Sequence, residues 1–93
     1  MRTYELMVVV RPDFAADDDA KRQALVQGLI GEGVTVGNIS VMGKKRLAYA
    51  IKKQTEGVYL LATLTARGLK SADIEKRANL HNDVIRYLLT ATN

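Results

Sequence analysis

Residues 43–66 read GKKRLAYAIKKQTEGVYLLATLTA, and the fold turns on how that stretch is parsed. Leu47, Tyr49 and Ile51 alternate with Arg46, Ala48, Ala50 and Lys52. A period of two sends neighbouring side chains to opposite faces, so this is a strand with one face in and one face out. Val58 to Ala66 is apolar or β-branched nearly throughout, which predicts a central strand. Gln54-Thr55-Glu56-Gly57 between them reads as the turn. The pair forms a long basic hairpin. Its extended pattern begins at Val34, and Gly43 in the middle predicts a bulge or bend.

Upstream of the hairpin, Leu25, Val26, Leu29 and Ile30 recur at helical spacing. Asp17, Asp18 and Asp19 open that helix: one caps the free backbone N–H groups and the others favour the positive end of the dipole. Gly31 and Gly33 stop it. Gly28 inside it predicts a close approach of helix to sheet. Thr3 to Val10 (TYELMVVV) is a strand whose second half is apolar on both parities, hence central, and Pro12 lies just past its end. Downstream, Ser71 caps a second helix running to about Leu80, with Ile74 and Ala78 inward. Asn82-Asp83 turns the chain, and Val84 to Thr90 is a last strand. The order β-α-β-β-α-β, with right-handed crossovers, puts two helices on one face of a four-stranded antiparallel sheet. That is the ferredoxin-like α+β sandwich, and 93 residues make one domain of it, 1–93.

Composition narrows the chemistry. The chain has no cysteine, so disulfide scaffolds, thiolate metal sites and cysteine nucleophiles are excluded. No apolar run approaches the roughly 20 residues of a membrane helix. The stretch from Leu6 to Val10 is too short for a signal sequence, which predicts a soluble intracellular protein. The net charge is +4, unevenly spread: residues 1–32 carry −2 and residues 33–93 carry +6. Lys44, Lys45, Arg46, Lys52 and Lys53 fall within ten residues, with no acid among them. Such a run suggests a polyanion partner. The alternative is a solvated edge strand guarded by lysines against aggregation.

These five bases can neutralise phosphates, and Arg46 can also stack on an unpaired base. Arg86, a base between Ile85 and Tyr87, calls for an acid across the sheet or a phosphate; Arg2 on the first strand is a weaker candidate of the same kind. Tyr4, Tyr49, Tyr59 and Tyr87 either fill the core or, on a helix-free face, stack on bases or pack on a protein. For Tyr49 the alternation with Leu47 and Ile51 predicts the core. His81 reads as a helix C-terminal cation. No nucleophile–base pair, glycine-rich phosphate loop or paired-carboxylate arrangement is present. Three other readings share the fold. An RNA-recognition motif needs a base, a glycine and alternating aromatics on its third strand, where this chain has Glu56-Gly57-Val58-Tyr59. A ligand-binding regulatory module leaves the basic hairpin without a purpose. An acyl-phosphate hydrolase needs a glycine-rich anion loop around Arg11, which is absent.

Gly43-Lys44-Lys45-Arg46-Leu47-Ala48-Tyr49-Ala50-Ile51-Lys52 resembles the signature of one family, the sixth protein of the bacterial small ribosomal subunit. The pattern is a glycine, a free position, a base, a polar residue, Leu, Ala or Ser, Tyr, a free position, Ile, then commonly a base. Tyr4-Glu5 is similar to the family's opening strand, and Asn82-Asp83-Val84-Ile85-Arg86-Tyr87 to its last turn and strand. The resemblance implies a structural protein without catalytic activity, cofactor, metal or small-molecule substrate. It implies binding to the central domain of small-subunit rRNA, as a heterodimer with the eighteenth small-subunit protein, on a cytoplasmic or organellar ribosome. Arg2, Lys44, Lys45, Arg46, Lys52, Lys53 and Arg86 are then the expected RNA contacts. Leu47, Ala48, Tyr49 and Ile51 are the expected surface for the protein partner. Many relatives continue past the fourth strand with a flexible charged tail, whereas this chain stops at Asn93, so the resemblance does not carry over any partner contact that such a tail makes.

Overall fold

A computed structural model describes the chain apart from residues 1, 32, 52, 70 and 93; of residues 51 and 71 only the backbone is described. The elements are β1 (Arg2–Val10), α1 (Asp19–Ile30), β2 (Thr35–Ile51), β3 (Gln54–Ala66), α2 (Ser71–Leu80) and β4 (Val84–Ala91). The strands lie in the order β2-β3-β1-β4, each antiparallel to its neighbour. The expected ferredoxin-like order is therefore observed. The two strands that read as apolar on both parities, β1 and β3, are the central pair.

Register decides which side chains share a face. Tyr4, Leu6, Val8 and Val10 stand opposite Leu64, Ala62, Leu60 and Val58. All eight are buried, and they meet Leu25, Val26, Leu29 and Ile30 of α1 and Ile74 and Ala78 of α2 in one core. Both helices therefore cover the same face. Tyr4 fills the core with its hydroxyl at the edge, where the oxygen accepts the Leu69 backbone N–H at 3.3 Å. The other face of the sheet carries no helix.

The helix ends are held locally. Of the three aspartates, Asp18 is the cap: it has extended backbone and its carboxylate accepts the Lys21 N–H at 3.2 Å. Asp19 holds Arg22 at 3.0 Å and Gln23 at 3.1 Å. Replacing Asp18 by Ala should cost about 1 kcal/mol of unfolding free energy, the usual worth of such a cap. Asp17→Ala, at an exposed position outside the helix, should cost much less; chemical denaturation of the two variants reads the difference. At the other end Gly31 takes φ 74°, and its N–H bonds to the Gln27 carbonyl at 2.9 Å. The Arg77 guanidinium of α2 donates to the Leu29 carbonyl at 3.3 Å, placing a cation at the negative end of α1.

Three glycine and turn expectations fare differently. Gly43 does mark a bulge: its φ is 104°, and the β2–β3 register shifts between Val41 and Gly43. Gly28 does not bring the helix against the sheet, since a side chain there would meet nothing. The turn is not at Gln54–Gly57. Ile51 already pairs with Gln54, so the turn falls between these two, with Lys53 at φ 67°. Gly57 lies within β3 for a packing reason. A Cβ there would strike Cγ1 of Val9 and come to 3.2 Å from the Val10 carbonyl.

Candidate nucleic-acid interface

The hairpin outgrows the sheet. β1 pairs with β3 only from Val58 to Ala66, so beyond Gly57 the strands β2 and β3 run on as a two-stranded ribbon. On this ribbon Lys44, Lys45 and Arg46 stand opposite Val58, Gly57 and Glu56. Consecutive residues alternate in direction, so Lys45 shares the helix-free face with Tyr59, while Lys44 and Arg46 point to the other side. The Lys45 ammonium lies 5.4 Å from the centre of the Tyr59 ring, a cation–π contact. All three bases are exposed, as is Lys53 at the tip. Lys52 lies outside the described residues.

Arg86 of β4 is exposed and stands opposite Val9, at the same end of the sheet as the hairpin bases. The ion pairs among the described residues join Arg11 to Asp13 and Arg22 to Asp19. Neither involves a hairpin base or Arg86. The acid across the sheet that the sequence offered as one partner for Arg86 is not found. Arg2 stands apart. It opens β1 opposite Ala66, seven residues from Val9, which is about 23 Å along the strand. The structure thus gathers Lys44, Lys45, Arg46 and Arg86 at one end and leaves Arg2 at the other.

Tyr49 is 68% exposed, so the core expectation is wrong. No helix lies over the distal ribbon, and alternation there does not mean burial. Leu47 is half-buried and Ala48 exposed. Residues 47–50 face only Thr55, because Arg46 pairs with Glu56 and Ile51 with Gln54. This part of the strand bulges away from its partner. Of Ile51 only the backbone pairing is described.

His81 follows the end of α2, and its Nδ1 accepts the Asp83 N–H at 3.2 Å, closing the turn into β4. A recess of about 430 Å³ beside it is lined by Asp13, Phe14, Lys21, Leu25 and Asp83. Among the described residues no three His or carboxylate groups gather as a metal site. No helix is long and apolar enough to cross a membrane. One feature escaped sequence reasoning, the apolar stripe on the helix-free face. Met7 stands between Leu61 and Leu88, and Leu88 is 57% exposed. The second half of β1 is apolar on both parities and β3 apolar or β-branched nearly throughout, which leaves apolar side chains for the uncovered face as well as for the core.

Fold and surface together define a class: a small ferredoxin-like α+β domain with a basic overhanging hairpin and an uncovered sheet face. Comparison with known proteins identifies its kin. The family model described as Ribosomal protein S6 matches residues 3–91. The small ribosomal subunit protein bS6 of Moorella thermoacetica is 35% identical over 91 residues, 97% of this chain and 93% of its own length. That of Exiguobacterium sibiricum is 33% identical, over 97% of this chain and 96% of its own. That of Koribacter versatilis is 35% identical over 94% of this chain, which spans 60% of that relative. The crystal structure of 30S ribosomal protein S6 from Thermotoga maritima superposes with a TM-score of 0.75, covering 98% of this chain and 87% of that one at 24% identity. The chain belongs to the ribosomal protein S6 family and is a protein of the small ribosomal subunit.

Proposed function

We propose that the chain is a non-enzymatic structural component of the small subunit that binds the central domain of its rRNA through the β2–β3 ribbon and Arg86. The observation that carries this reading is a set of exposed bases at one end of the sheet, none of them in an ion pair among the described residues, although Glu56 stands opposite Arg46. Solvent-exposed cations of this kind release counterions from phosphates and give affinity without reading bases. Because Lys45 leaves one face of the ribbon and Lys44 and Arg46 the other, the ribbon suits a crevice between two RNA backbones better than a single flat one. Lys53 extends the same charge towards the tip, and Lys52, its neighbour in the sequence, is proposed as a further contact. Arg2, at the far end of β1, makes a separate contact. The domain acts as one unit over 1–93 on a cytoplasmic ribosome, and it needs no cofactor or small-molecule substrate.

The bulged segment Leu47–Ala50, with Tyr49 exposed beside it, supports a protein partner there, the eighteenth small-subunit protein. A handful of phosphate contacts gives only about 10⁻⁴–10⁻⁶ M affinity at physiological salt. A ribosomal component needs tighter and single-site binding, and a partner docked beside the ribbon supplies interface and orientation. The rRNA affinity of the chain should rise about 5- to 150-fold when the partner is present, the usual scale of such coupling. Titration of central-domain rRNA with and without the partner measures it. Equal affinities would contradict cooperative assembly.

A further inference from the structure

Tyr59 stands on the helix-free face between two different surroundings. On its β2 side lies Lys45, whose ammonium is 5.4 Å from the ring centre. On its β1 and β4 side lies a depression of about 170 Å³, lined by Met7, Val9, Arg86 and Leu88 together with the Tyr59 ring. No acidic residue lines it. The β4 register shifts at this point: Val9 pairs with Arg86 but Val10 with Val84, leaving Ile85 unmatched. Bulges of this kind re-aim the neighbouring side chain and are over-represented next to functional sites.

An aromatic wall, an apolar floor and a cation on each flank, neither of them in an ion pair among the described residues, call for one occupant, flat and apolar in its body and anionic at its edge. An aliphatic side chain from a protein would leave both charges unmatched, and a carboxylate would waste the ring. A nucleotide satisfies all three. We infer that the depression beside Tyr59 receives one unpaired base of the rRNA, stacked on the Tyr59 ring, with the flanking phosphates held by Lys45 and Arg86. The flexible stem of Lys45 lets its ammonium leave the ring face for a phosphate without moving the strand. The inference rests on the proposed rRNA binding and adds to it a contact that depends on the base.

Stacking and phosphate neutralisation respond differently to salt, and this separates them. Tyr59→Leu should weaken binding to central-domain rRNA about five- to hundredfold, the scale of one lost base–aromatic stack. The loss should be the same at every salt concentration, leaving the slope of log affinity against log salt unchanged. Tyr59→Phe keeps the ring and should bind as the native chain does. It also shows whether any loss in the leucine variant comes from misfolding, which circular dichroism checks directly. Native affinity in Tyr59→Leu would overturn the inference and leave the phosphate reading standing. A loss in Tyr59→Leu seen only when the eighteenth protein is present would overturn it in favour of a protein occupant. If the native chain itself fails to bind the rRNA, the proposed function falls and this inference with it.

Discussion

Leu60→Ala should lower the unfolding free energy by about 2–5 kcal/mol, the range for a buried leucine replaced by alanine. Leu60 is fully buried. It lies on β3 between Val8 of β1 and Val41 of β2, under the two helices. Leu60 shares one core with Val8 of the central strand β1 and with the inward side chains of both helices, so its loss opens a cavity among packed residues. A domain of this size has a total stability of about 5–14 kcal/mol, so the loss is a large fraction of the total. The adjacent Leu61→Ala is the control. Leu61 points to the helix-free face and is half-buried, and its loss should cost well under half as much. Urea unfolding of the two variants tests the register itself. A one-residue slip would exchange the two faces and reverse the order of the two costs.

Lys44→Ala combined with Lys45→Ala should have the largest effect on RNA binding. For a duplex target each phosphate contact contributes about 0.9 to the slope of log affinity against log salt. At 0.1 M salt one contact is then worth about eightfold and two about 60-fold, an effect that fades as salt approaches 1 M. Both lysines are exposed strand residues, and Lys44 has no packing role that the variant would remove. Lys45 loses only its contact with Tyr59, worth about 0.5–1 kcal/mol at an exposed site. The fold should survive, and filter or gel-shift binding at 0.1 M salt reads the loss.

Much of this architecture was legible in the chain. The stripe Leu25, Val26, Leu29, Ile30, with Ile74 and Ala78 inward, names core residues correctly, and the apolar second half of the first strand marks a central strand. One of the three aspartates caps the first helix as expected, and it is Asp18; Gly43 marks the expected bulge. What misled was local composition. Gln54-Thr55-Glu56-Gly57 has the residues of a turn, yet Gly57 is glycine because Val9 occupies the place of its side chain. That constraint comes from a residue 48 positions away and leaves no trace nearby. Tyr49 alternates as a core residue does. Alternation records pairing, however, and burial needs a covering layer, which the overhanging ribbon lacks.

The site was legible as charge but not as geometry. The run from Lys44 to Lys53 reads as one patch, whereas the strand divides Lys45 from Lys44 and Arg46 between two faces. Arg86 joins the group only because antiparallel pairing of β4 with β1 brings it to the hairpin end. Arg2 has the same charge, but its place at the start of β1 sends it to the far end. The chain order of these bases thus says little about which of them act together; strand register decides it.

The most direct test of binding through the ribbon is the salt dependence of affinity for central-domain rRNA, measured from 0.05 to 0.5 M for the native chain and for Lys44→Ala/Lys45→Ala. The expected result is two straight lines of log affinity against log salt, the variant's flatter by about 2, converging towards 1 M. Two parallel lines of equal slope would show that these lysines face solvent and that the ribbon does not hold the RNA.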